Sequence, residues 1–339
     1  MTLDRVLIVG TGSMGRRHLE IARKILPHAK IAVFSQSGRK ADSFYTFTNR
    51  SEVEEFRPQI SVIASQASYH IEMANFLANL GSHLLIEKPI SSNLDGIEEL
   101  INLEDQKNIK ILVGYNLRYL PSFKTMHSLL LGESVGRVLN VRLEVGQSLE
   151  TWRPGRDYRE TASARKVDGG GVLRELSHEL NYLIDFFGLP SWVFACTQKV
   201  SDLDIDVEDI AHIILSLREK NGSEITATVN LDFIRQDKTR LCTIIGKEGT
   251  LEWNLLTGSI LKKTLEEPDG IILNSNLELI SDTYRAEWED LLSAIALDEK
   301  PTISLIDSVR TLSVILACED SQANRSIAQV SFPLEESNG

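Results

Sequence analysis

A glycine-rich hexapeptide near the start of the chain is the first stretch whose spacing could do chemistry. Residues 10–15 read GTGSMG, a G-x-G-x-x-G pattern that follows the apolar run Arg5–Gly10 and precedes the helical segment Arg16–Leu26. In a strand–turn–helix, such glycines allow a tight turn and close approach of a pyrophosphate, which the N–H groups and positive dipole of the helix start stabilise. The alternative is a glycine-rich turn that binds nothing. The predicted dinucleotide-binding residues of this turn are Gly10, Gly12, Ser13, Met14 and Gly15.

The residues after the second predicted strand, Ile31–Phe34, indicate which dinucleotide is bound. A protein that binds NAD usually carries an acid about 20 residues past the glycines, where it binds the ribose 2′-OH. Here the next six residues are SQSGRK, with no acid. Two hydroxyls and two cations suit a 2′-phosphate, and NADP is therefore favoured over NAD as the cofactor. The residues of this prediction are Ser35, Ser37, Arg39 and Lys40; the alternative is that the two cations form a solvated loop pair.

A lysine follows another predicted strand, His83–Ile86. Glu87-Lys88-Pro89 stands at the carboxyl edge of that strand, where ligands bind in open α/β sheets. Pro89 fixes its own φ and restricts the residue before it, so Lys88 is held in extended backbone. A lysine there can hydrogen-bond a substrate hydroxyl that loses its proton as hydride leaves. We therefore predict that Lys88 is catalytic and contacts both substrate and cofactor, with Glu87 beside the cofactor; the alternative is a surface lysine in a loop.

A polar stretch between residues 147 and 171 carries the candidates for substrate recognition. It contains several arginines, a lysine and two aromatic residues. Tryptophan can stack on the C–H face of a sugar, and arginine can bind a phosphate or carboxylate. The predicted substrate-binding residues are Trp152, Arg156, Tyr158, Arg165 and Lys166. The alternative is an ordered loop at a subunit interface.

The elements that must position these residues predict two domains. Up to Ile109–Val113, strand-like runs alternate with helical segments, which is typical of a doubly wound parallel sheet. Four strand-like runs then cluster between residues 211 and 253 without helices between them, which predicts an antiparallel sheet. We therefore expect an α/β fold, with a Rossmann dinucleotide-binding domain over residues 1–120. A substrate-binding and oligomerisation α+β domain is expected over residues 121–339.

Composition excludes several classes of protein. The chain has 339 residues and a formal net charge of −12, and an acidic surface repels phosphate backbones, so no nucleic-acid partner is expected. No apolar run approaches the ~20 residues of a membrane helix, and no signal peptide is evident. The three cysteines are far apart and show no CxxC spacing. These features predict a cytoplasmic protein with no metal site and no membrane partner.

The order of several motifs resembles the glucose-fructose oxidoreductase / inositol dehydrogenase (Gfo/Idh/MocA) family over almost the whole chain. The motifs are GTGSMG, SQASYH at 65–70, EKP at 87–89, NLRYLP at 116–121, GGG at 169–171 with His178, and GKEGTLEW at 246–253. The resemblance implies a Rossmann domain joined to an α/β domain with a large, mostly antiparallel sheet, which often forms a homodimer or homotetramer. It also implies oxidation or reduction at a carbohydrate or cyclitol carbon, with Lys88 as the usual catalytic lysine.

The resemblance implies a second catalytic element, an acid four residues before a histidine on one helix. The segment Val172–Phe187 is predicted to be a helix, and His178 matches the histidine. The position of the acid is taken by Arg174, and the nearest acid is Glu175, three residues before the histidine and on a shared helix face. We therefore predict His178 as a proton relay that contacts substrate, with Glu175 as its acid. The alternative is a helix-face histidine packed against the sheet.

Two further segments of the resemblance supply candidate residues. Ser65 and Gln66 replace part of the family's usual Thr-Pro-Asn and are expected to contact the cofactor, chiefly through backbone groups. His70 could approach the cofactor or cap the following helix. Asn116 is expected at the nicotinamide end of the cofactor. Arg118 is expected to bind substrate, and its alternative is a salt bridge between domains.

The expected function is that of an NAD(P)-dependent dehydrogenase or reductase acting on CH–OH groups. Its substrate is expected to be a sugar, amino sugar or nucleotide sugar. The arginine-rich stretch is similar to a subgroup associated with bacterial surface-glycan and nonulosonic acid pathways, which implies a role in glycan biosynthesis. Two alternatives stay open: reduction of an imine or non-sugar carbonyl, and a non-catalytic dinucleotide sensor or regulator on the same fold.

Overall fold

The computed structural model describes residues 3–35, 38, 44–218, 222–275 and 279–332, which form two compact units. The first unit takes the described residues up to Asn116 together with Ser281–Val309. The second takes those of Leu117–Ile280 and those from Arg310 onward. The first unit therefore ends close to the expected boundary at residue 120, but it also includes a later segment that a linear division assigns to the second domain.

The first unit is built on a six-stranded parallel sheet in the order β3-β2-β1-β4-β5-β6. Of its central strands, β4 is buried along its whole length and β5 from Leu84 onward, and both are mainly apolar, as expected where helices cover both faces of a parallel sheet. The elements up to the last strand are β1 (Arg5–Val9), α1 (Ser13–Ile25), β2 (Lys30–Phe34), β3 (Tyr45–Phe47), α2 (Arg50–Phe56), β4 (Ile60–Ile63), α3 (His70–Asn79), β5 (His83–Ile86), α4 (Ile97–Lys107) and β6 (Ile111–Val113).

The second unit is built on a nine-stranded sheet in the order β14-β13-β12-β11-β7-β10-β9-β8-β15. All its neighbouring strands are antiparallel except the pair β7 and β10, which is parallel. Its elements up to β14 are α5 (Pro121–Leu131), β7 (Val138–Gly146), α6 (Leu149–Trp152), α7 (Val172–Glu175), α8 (His178–Phe187), β8 (Trp192–Gln198), β9 (Ile210–Arg218), β10 (Glu224–Asp232), β11 (Thr239–Gly246), β12 (Thr250–Asn254), β13 (Ser259–Lys263) and β14 (Ile271–Asn274).

The long strands of this second sheet alternate between buried and more exposed positions. In β10, for example, Ile225, Ala227, Val229 and Leu231 are buried and the residues between them are not. This period of two is the pattern of a sheet with one face in the core. The chain closes with α9 (Ile280–Leu297), α10 (Leu305–Asn324) and β15 (Ala328–Gln329). The structure thus confirms the predicted fold class.

The prediction of one continuous helix over Val172–Phe187 is wrong. The chain turns at Leu176, which has φ −98° and ψ 27°, and this turn separates α7 from α8. Tertiary contacts fix the short α7 at its start, because the carbonyl of Glu208 accepts the N–H of Val172 at 3.2 Å and its carboxylate accepts the N–H of Leu173 at 3.0 Å. These contacts override the helical periodicity of the segment.

Candidate active site

The three glycines of the first turn meet three different surroundings. Gly10 has φ +104°, and a Cβ there would lie 2.6 Å from the carbonyl oxygen of Ala64. A Cβ on Gly15 would lie 2.1 Å from the carbonyl oxygen of Gly10, so only glycine lets α1 pack this closely on the turn. Gly12 is different, because a Cβ there would meet nothing within 4 Å. The turn therefore leaves open space at its central glycine.

The start of α1 borders that open space. Gly12 is the N-cap of the helix, and the first helical N–H to find a backbone acceptor is that of Arg16, which donates to the Gly12 carbonyl at 3.0 Å. The N–H groups of Ser13, Met14 and Gly15 precede it and belong to the set that helices leave without helical acceptors. The first turn carries no acidic side chain. These residues fit the pyrophosphate of a dinucleotide.

The end of β2 is described only in part. Ser35 is buried, and its N–H donates to the carbonyl of Phe47 at 3.0 Å. The other three residues predicted to contact a 2′-phosphate, Ser37, Arg39 and Lys40, lie outside the described residues. The choice between NADP and NAD therefore stays a prediction.

Glu87 is held by a histidine that the sequence analysis did not single out. His18, on α1, is fully buried, and its Nε2 lies 2.8 Å from Oε1 of Glu87. The other ring nitrogen, Nδ1, accepts the indole N–H of Trp288 at 3.1 Å. An indole N–H only donates, so Nδ1 carries no proton and the proton of a neutral ring sits on Nε2, facing Glu87. Glu87 thus accepts a hydrogen bond from a neutral imidazole of fixed tautomer.

Pro89 is held by a second histidine. His70 is buried at the start of α3, with Nδ1 3.0 Å from the carbonyl oxygen of Pro89 and Nε2 3.1 Å from that of Ser65. Burial lowers the pKa of His70, while its contacts to these carbonyls oppose that shift. The ring therefore links the segment after β4 to the segment after β5. Gln66, next to Ser65, is exposed.

Lys88 lies between these two held residues. It is half-buried, whereas Ile86, Glu87, Pro89 and Ile90 around it are buried. Lys88 thus stands at the carboxyl edge of β5, the edge at which the open glycine turn also lies after β1. Parallel strands of one sheet bring their carboxyl ends to the same edge.

A second buried acid, Glu287 on α9, lies near Glu87. A Cβ on Gly114 would be 3.4 Å from Oε2 of Glu87 and 3.5 Å from Oε1 of Glu287. Glu287 is fully buried, and neither of its carboxyl oxygens has a hydrogen-bond partner among the described residues. Burial raises the pKa of Glu287 well above its ordinary value, and the nearby charge of Glu87 raises it further. Both effects favour the protonated form of Glu287.

Asn116 and Arg118 are both bound to neighbours in their own units. Asn116 is buried, and its amide donates to Oγ1 of Thr283 at 2.7 Å. Arg118 forms an ion pair with Asp185 in the second unit, and its guanidinium stands 5.9 Å from the centre of the Phe123 ring. Its side chain is only 10% exposed, so most of the Arg118 side chain is buried within its own unit.

In the second unit, His178 is half-buried and is the first residue of α8. Glu175 is the last residue of α7, so the two do not share one continuous helix. Arg174, at the position where the family resemblance implies an acid, forms a two-pronged ion pair with Glu319, with nitrogen–oxygen distances of 2.8 and 2.9 Å. The arginine thus has an acid partner on α10.

A cleft that Leu176 and Arg240 line contains, besides the predicted Trp152, residues that the sequence analysis missed. Glu179 is fully buried and binds Arg240 of β11 through two hydrogen bonds of 2.7 and 3.1 Å. The polar residues and the tryptophan lining the cleft are Gln147, Trp152, Asp232, Lys238, Thr239 and Arg240. Most of them stand at the ends of strands that are far apart in the sequence, so no local motif could predict the cleft.

The predicted substrate-binding stretch is divided by the fold. Trp152 lines the cleft and packs on Phe233, with ring centres 5.2 Å apart. The hydroxyl of Tyr158 accepts the N–H of Asp204 at 3.1 Å. The remaining residues of that prediction, Arg156, Arg165 and Lys166, are exposed.

The described residues offer neither a metal-binding cluster nor a membrane-spanning helix. No cluster of three or more histidine, cysteine, aspartate or glutamate residues among them could hold a metal ion. None of the helices in the described ranges is long and apolar enough to cross a membrane.

Comparison with known families identifies the class of protein that this fold and turn define. Residues 5–115 match the oxidoreductase family with an NAD-binding Rossmann fold, and residues 128–331 match the C-terminal alpha/beta domain of the same family. The chain therefore belongs to the Gfo/Idh/MocA oxidoreductase family, which confirms the resemblance of its motifs.

Several relatives have named activities. The NADP(+)-dependent scyllo-inositol 2-dehydrogenase IolU of Bacillus subtilis is 31% identical over 130 residues, 36% of this chain and 40% of that protein. Glucose-6-phosphate 3-dehydrogenase of the same organism is 23% identical over 172 residues, 49% of each chain. An oxidoreductase of Formosa agariphila is 24% identical over 199 residues, 58% of this chain and 60% of that protein. The match spans about two fifths to three fifths of the length of these three relatives.

Solved structures agree on the fold over nearly the whole chain. Levoglucosan dehydrogenase, in complex with NADH and levoglucosan, has a TM-score of 0.80 at 19% identity and covers 97% of this chain and 99% of that one. A myo-inositol 2-dehydrogenase from Lactobacillus plantarum has a TM-score of 0.79 at 15% identity and covers 97% and 100%. At these identities the likeness concerns the fold alone.

Proposed function

We propose that this protein is an NAD(P)-dependent dehydrogenase or reductase that acts on a carbinol carbon of a sugar, amino sugar or nucleotide sugar. The observation that carries the proposal is the glycine turn, in which Gly10 and Gly15 are closely packed while Gly12 faces open space at the start of α1. That combination fits a bound pyrophosphate and explains each glycine by a separate physical need.

A bound nicotinamide dinucleotide would supply or accept the hydride. The chain's own residues would hold it: the turn from Gly10 to Gly15 at the pyrophosphate, and Ser65, Glu87 and Asn116 at the carboxyl edge of the sheet. Substrates of the relatives, inositol, glucose 6-phosphate and levoglucosan among them, support a polyhydroxylated substrate. A role in surface-glycan biosynthesis is the narrower form of this proposal.

Lys88 is the residue we propose for the substrate hydroxyl. Its neighbours on both sides are buried and held, and the half-buried Lys88 stands between them at the carboxyl edge of the sheet, where ligands bind in open α/β sheets. In the oxidation direction, the amino group would hydrogen-bond the hydroxyl and assist loss of its proton while the hydride departs. His178, from the second unit, is the proposed second proton carrier, and Trp152 is the proposed aromatic surface for the sugar.

The test combines cofactor binding with turnover. Purified full-length protein is titrated with NADPH and NADH by fluorescence and then assayed at 340 nm with a panel of inositols, sugar phosphates, oxidised sugars and nucleotide sugars. Lys88→Ala should lower the rate about 100- to 10,000-fold while leaving cofactor affinity nearly unchanged. Lys107→Ala, on the exposed side of α4, is the matched control and should behave as the wild type. Failure of the wild type to bind either coenzyme would overturn the proposal.

A second candidate function is a dinucleotide sensor without turnover. The observation that favours it is Arg174, which stands where the resemblance implies a catalytic acid and is paired with Glu319. Tight coenzyme binding together with no turnover across the panel would support the sensor. Turnover that disappears in Lys88→Ala would exclude it.

A further alternative is the reduction of an imine or a non-sugar carbonyl. Such compounds are therefore included in the same panel as another class of substrate.

We also propose that NADP is preferred over NAD. The proposal rests on the SQSGRK sequence after β2, where two cations and no acid follow the strand. The double variant Arg39→Ala, Lys40→Ala should weaken NADPH binding by about tenfold or more and leave NADH binding within about twofold. Equal losses for both coenzymes, or no loss, would contradict the preference.

A further inference from the structure

Two buried histidines hold the residues on either side of Lys88. His18 contacts the side chain of Glu87, and His70 contacts the carbonyl of Pro89. Both histidine rings are essentially without solvent exposure, at 0% and 1% for the two residues. A buried histidine without contact to solvent or to a cluster of charges usually has only a packing role. Here, however, both rings contact the same three-residue segment, residues 87–89.

The His18 side is fixed by a chain of hydrogen bonds with one allowed direction. Trp288 can only donate, so Nδ1 of His18 accepts and Nε2 donates to Glu87. A change of tautomer would place a lone pair against the Glu87 carboxylate, and a ring flip would replace the N–H donor with a C–H group. The orientation of Glu87 therefore depends on an indole on α9 that lies 270 residues after His18 along the chain.

The His70 side is fixed by two carbonyl oxygens. One ring nitrogen lies 3.0 Å from the Pro89 oxygen and the other 3.1 Å from the Ser65 oxygen. The same ring thus links the end of β4 to the residue that follows Lys88. Ser65 is itself one of the residues expected to contact the cofactor, so the ring ties the cofactor segment to the lysine segment.

We propose that His18 and His70 are positioning residues that hold Glu87 and Pro89 and thereby fix where the Lys88 amino group is presented. This role rests on the proposed function of Lys88, but it makes a prediction that needs neither substrate nor coenzyme. Loss of either ring should change the environment and the chemical reactivity of that amino group, because the segment carrying it gains freedom.

The experiment is competitive acetylation of the full-length protein with trace acetic anhydride between pH 6 and 10, with each lysine quantified by peptide mass spectrometry. His18→Leu and His70→Leu should each change the labelling rate of Lys88 at a given pH by about threefold or more, or displace the pH midpoint of labelling by an equivalent amount. A threefold change corresponds to the lower end of the coupling energies measured between residues of one hydrogen-bond network. Lys107, exposed on α4, is the internal control and should not change. His18→Gln and His70→Gln, which keep an N–H donor, should restore most of the wild-type profile.

The matched control is His83→Gln. His83 is a half-buried histidine on β5 itself, and its Nδ1 accepts the N–H of Lys110 instead of contacting residues 87–89. It should leave Lys88 labelling unchanged. If a leucine variant does not fold, Trp288→Phe removes only the indole donor and should shift Lys88 in the same sense as loss of the His18 ring.

Unchanged Lys88 labelling in folded variants of both histidines would overturn the inference, as would equal changes at Lys107 or in His83→Gln. These outcomes are independent of turnover. A catalytically inert Lys88 with altered labelling would overturn the proposed function while leaving the positioning role intact.

Discussion

At the scale of single residues, the three glycines of the first turn can be separated by experiment. No side chain fits at Gly15, because its Cβ would lie 2.1 Å from the carbonyl oxygen of Gly10. A Cβ on Gly12 would meet no atom within 4 Å. Gly15 is therefore needed for packing, and we propose that Gly12 is needed for the ligand. The same reasoning assigns opposite phenotypes to two substitutions that look equivalent in the sequence.

Gly12→Ala should fold with a melting temperature close to that of the wild type, because its φ of −69° suits alanine and no protein atom is displaced. It should weaken coenzyme binding by about tenfold or more, since the methyl group occupies the space for the pyrophosphate. Gly15→Ala should instead lower the melting temperature strongly, through a backbone clash. Differential scanning fluorimetry and coenzyme fluorescence measure the two effects, and a stable Gly15→Ala protein would contradict the packing argument.

The chemistry of this site follows from sequence only where it is local. The GTGSMG turn and the position of Lys88 after a strand were predicted because spacing along a few residues determines them. The roles of His18 and His70 were not, because each depends on a partner brought close by the fold, Trp288 in one case and Pro89 in the other. A histidine three residues after the last glycine of the turn is the one signal that could have drawn attention to His18.

At the scale of elements, an ion pair between Glu179 and Arg240 joins α8 to β11. Glu179 directly follows His178, the proposed proton carrier, in the sequence. Glu179 is fully buried, and Arg240, 16% exposed at its side chain, neutralises it. The strands of this sheet were largely predicted by their period of two, while the division of α7 from α8 was not. The contacts of α7 with Glu208 and Glu319 bring together residues that lie far apart along the chain, and no local pattern predicts them.

Glu179→Gln should destabilise the protein by about 3 kcal/mol, because it leaves a largely buried guanidinium without its counter-charge. The double variant Glu179→Leu, Arg240→Met removes both charges and should recover most of that loss. Urea unfolding followed by circular dichroism measures both free energies of unfolding. A double variant less stable than the single one would show that the pair contributes net stability.

At the scale of the whole molecule, buried acids make stability depend on pH. Burial raises the pKa of Glu104, on α4, from its ordinary 4.5 to about 7. Below pH 4.5 this acid is protonated in both the folded and unfolded states and has no effect on stability. Above that pH the unfolded chain loses the proton first, so the free energy of unfolding falls by up to about 1.4 kcal/mol per pH unit until the folded form also ionises near pH 7.

Glu104→Gln should therefore be more stable than the wild type at pH 8, by about 2–3 kcal/mol, and nearly equal to it at pH 4.5. Thermal and urea unfolding at several pH values measure the difference. The matched control is Glu98→Gln, an exposed acid on the same helix, which should leave the pH dependence of stability unchanged. Parallel curves for Glu104→Gln and the wild type would contradict the raised pKa.

The first unit is assembled from two separate stretches of chain, and this has a consequence for biosynthesis. Its sheet is complete by Val113, yet Trp288 and the rest of Ser281–Val309 emerge from the ribosome only after eight of the nine strands of the second sheet, β7 to β14, have been translated. A nascent chain stalled before residue 280 would hold the glycine turn and Lys88 without the indole that orients His18. The first unit, although its sheet is encoded first, would then stay incomplete until most of the second unit has been made, and a chaperone would meet it with the pocket of Trp288 still unfilled.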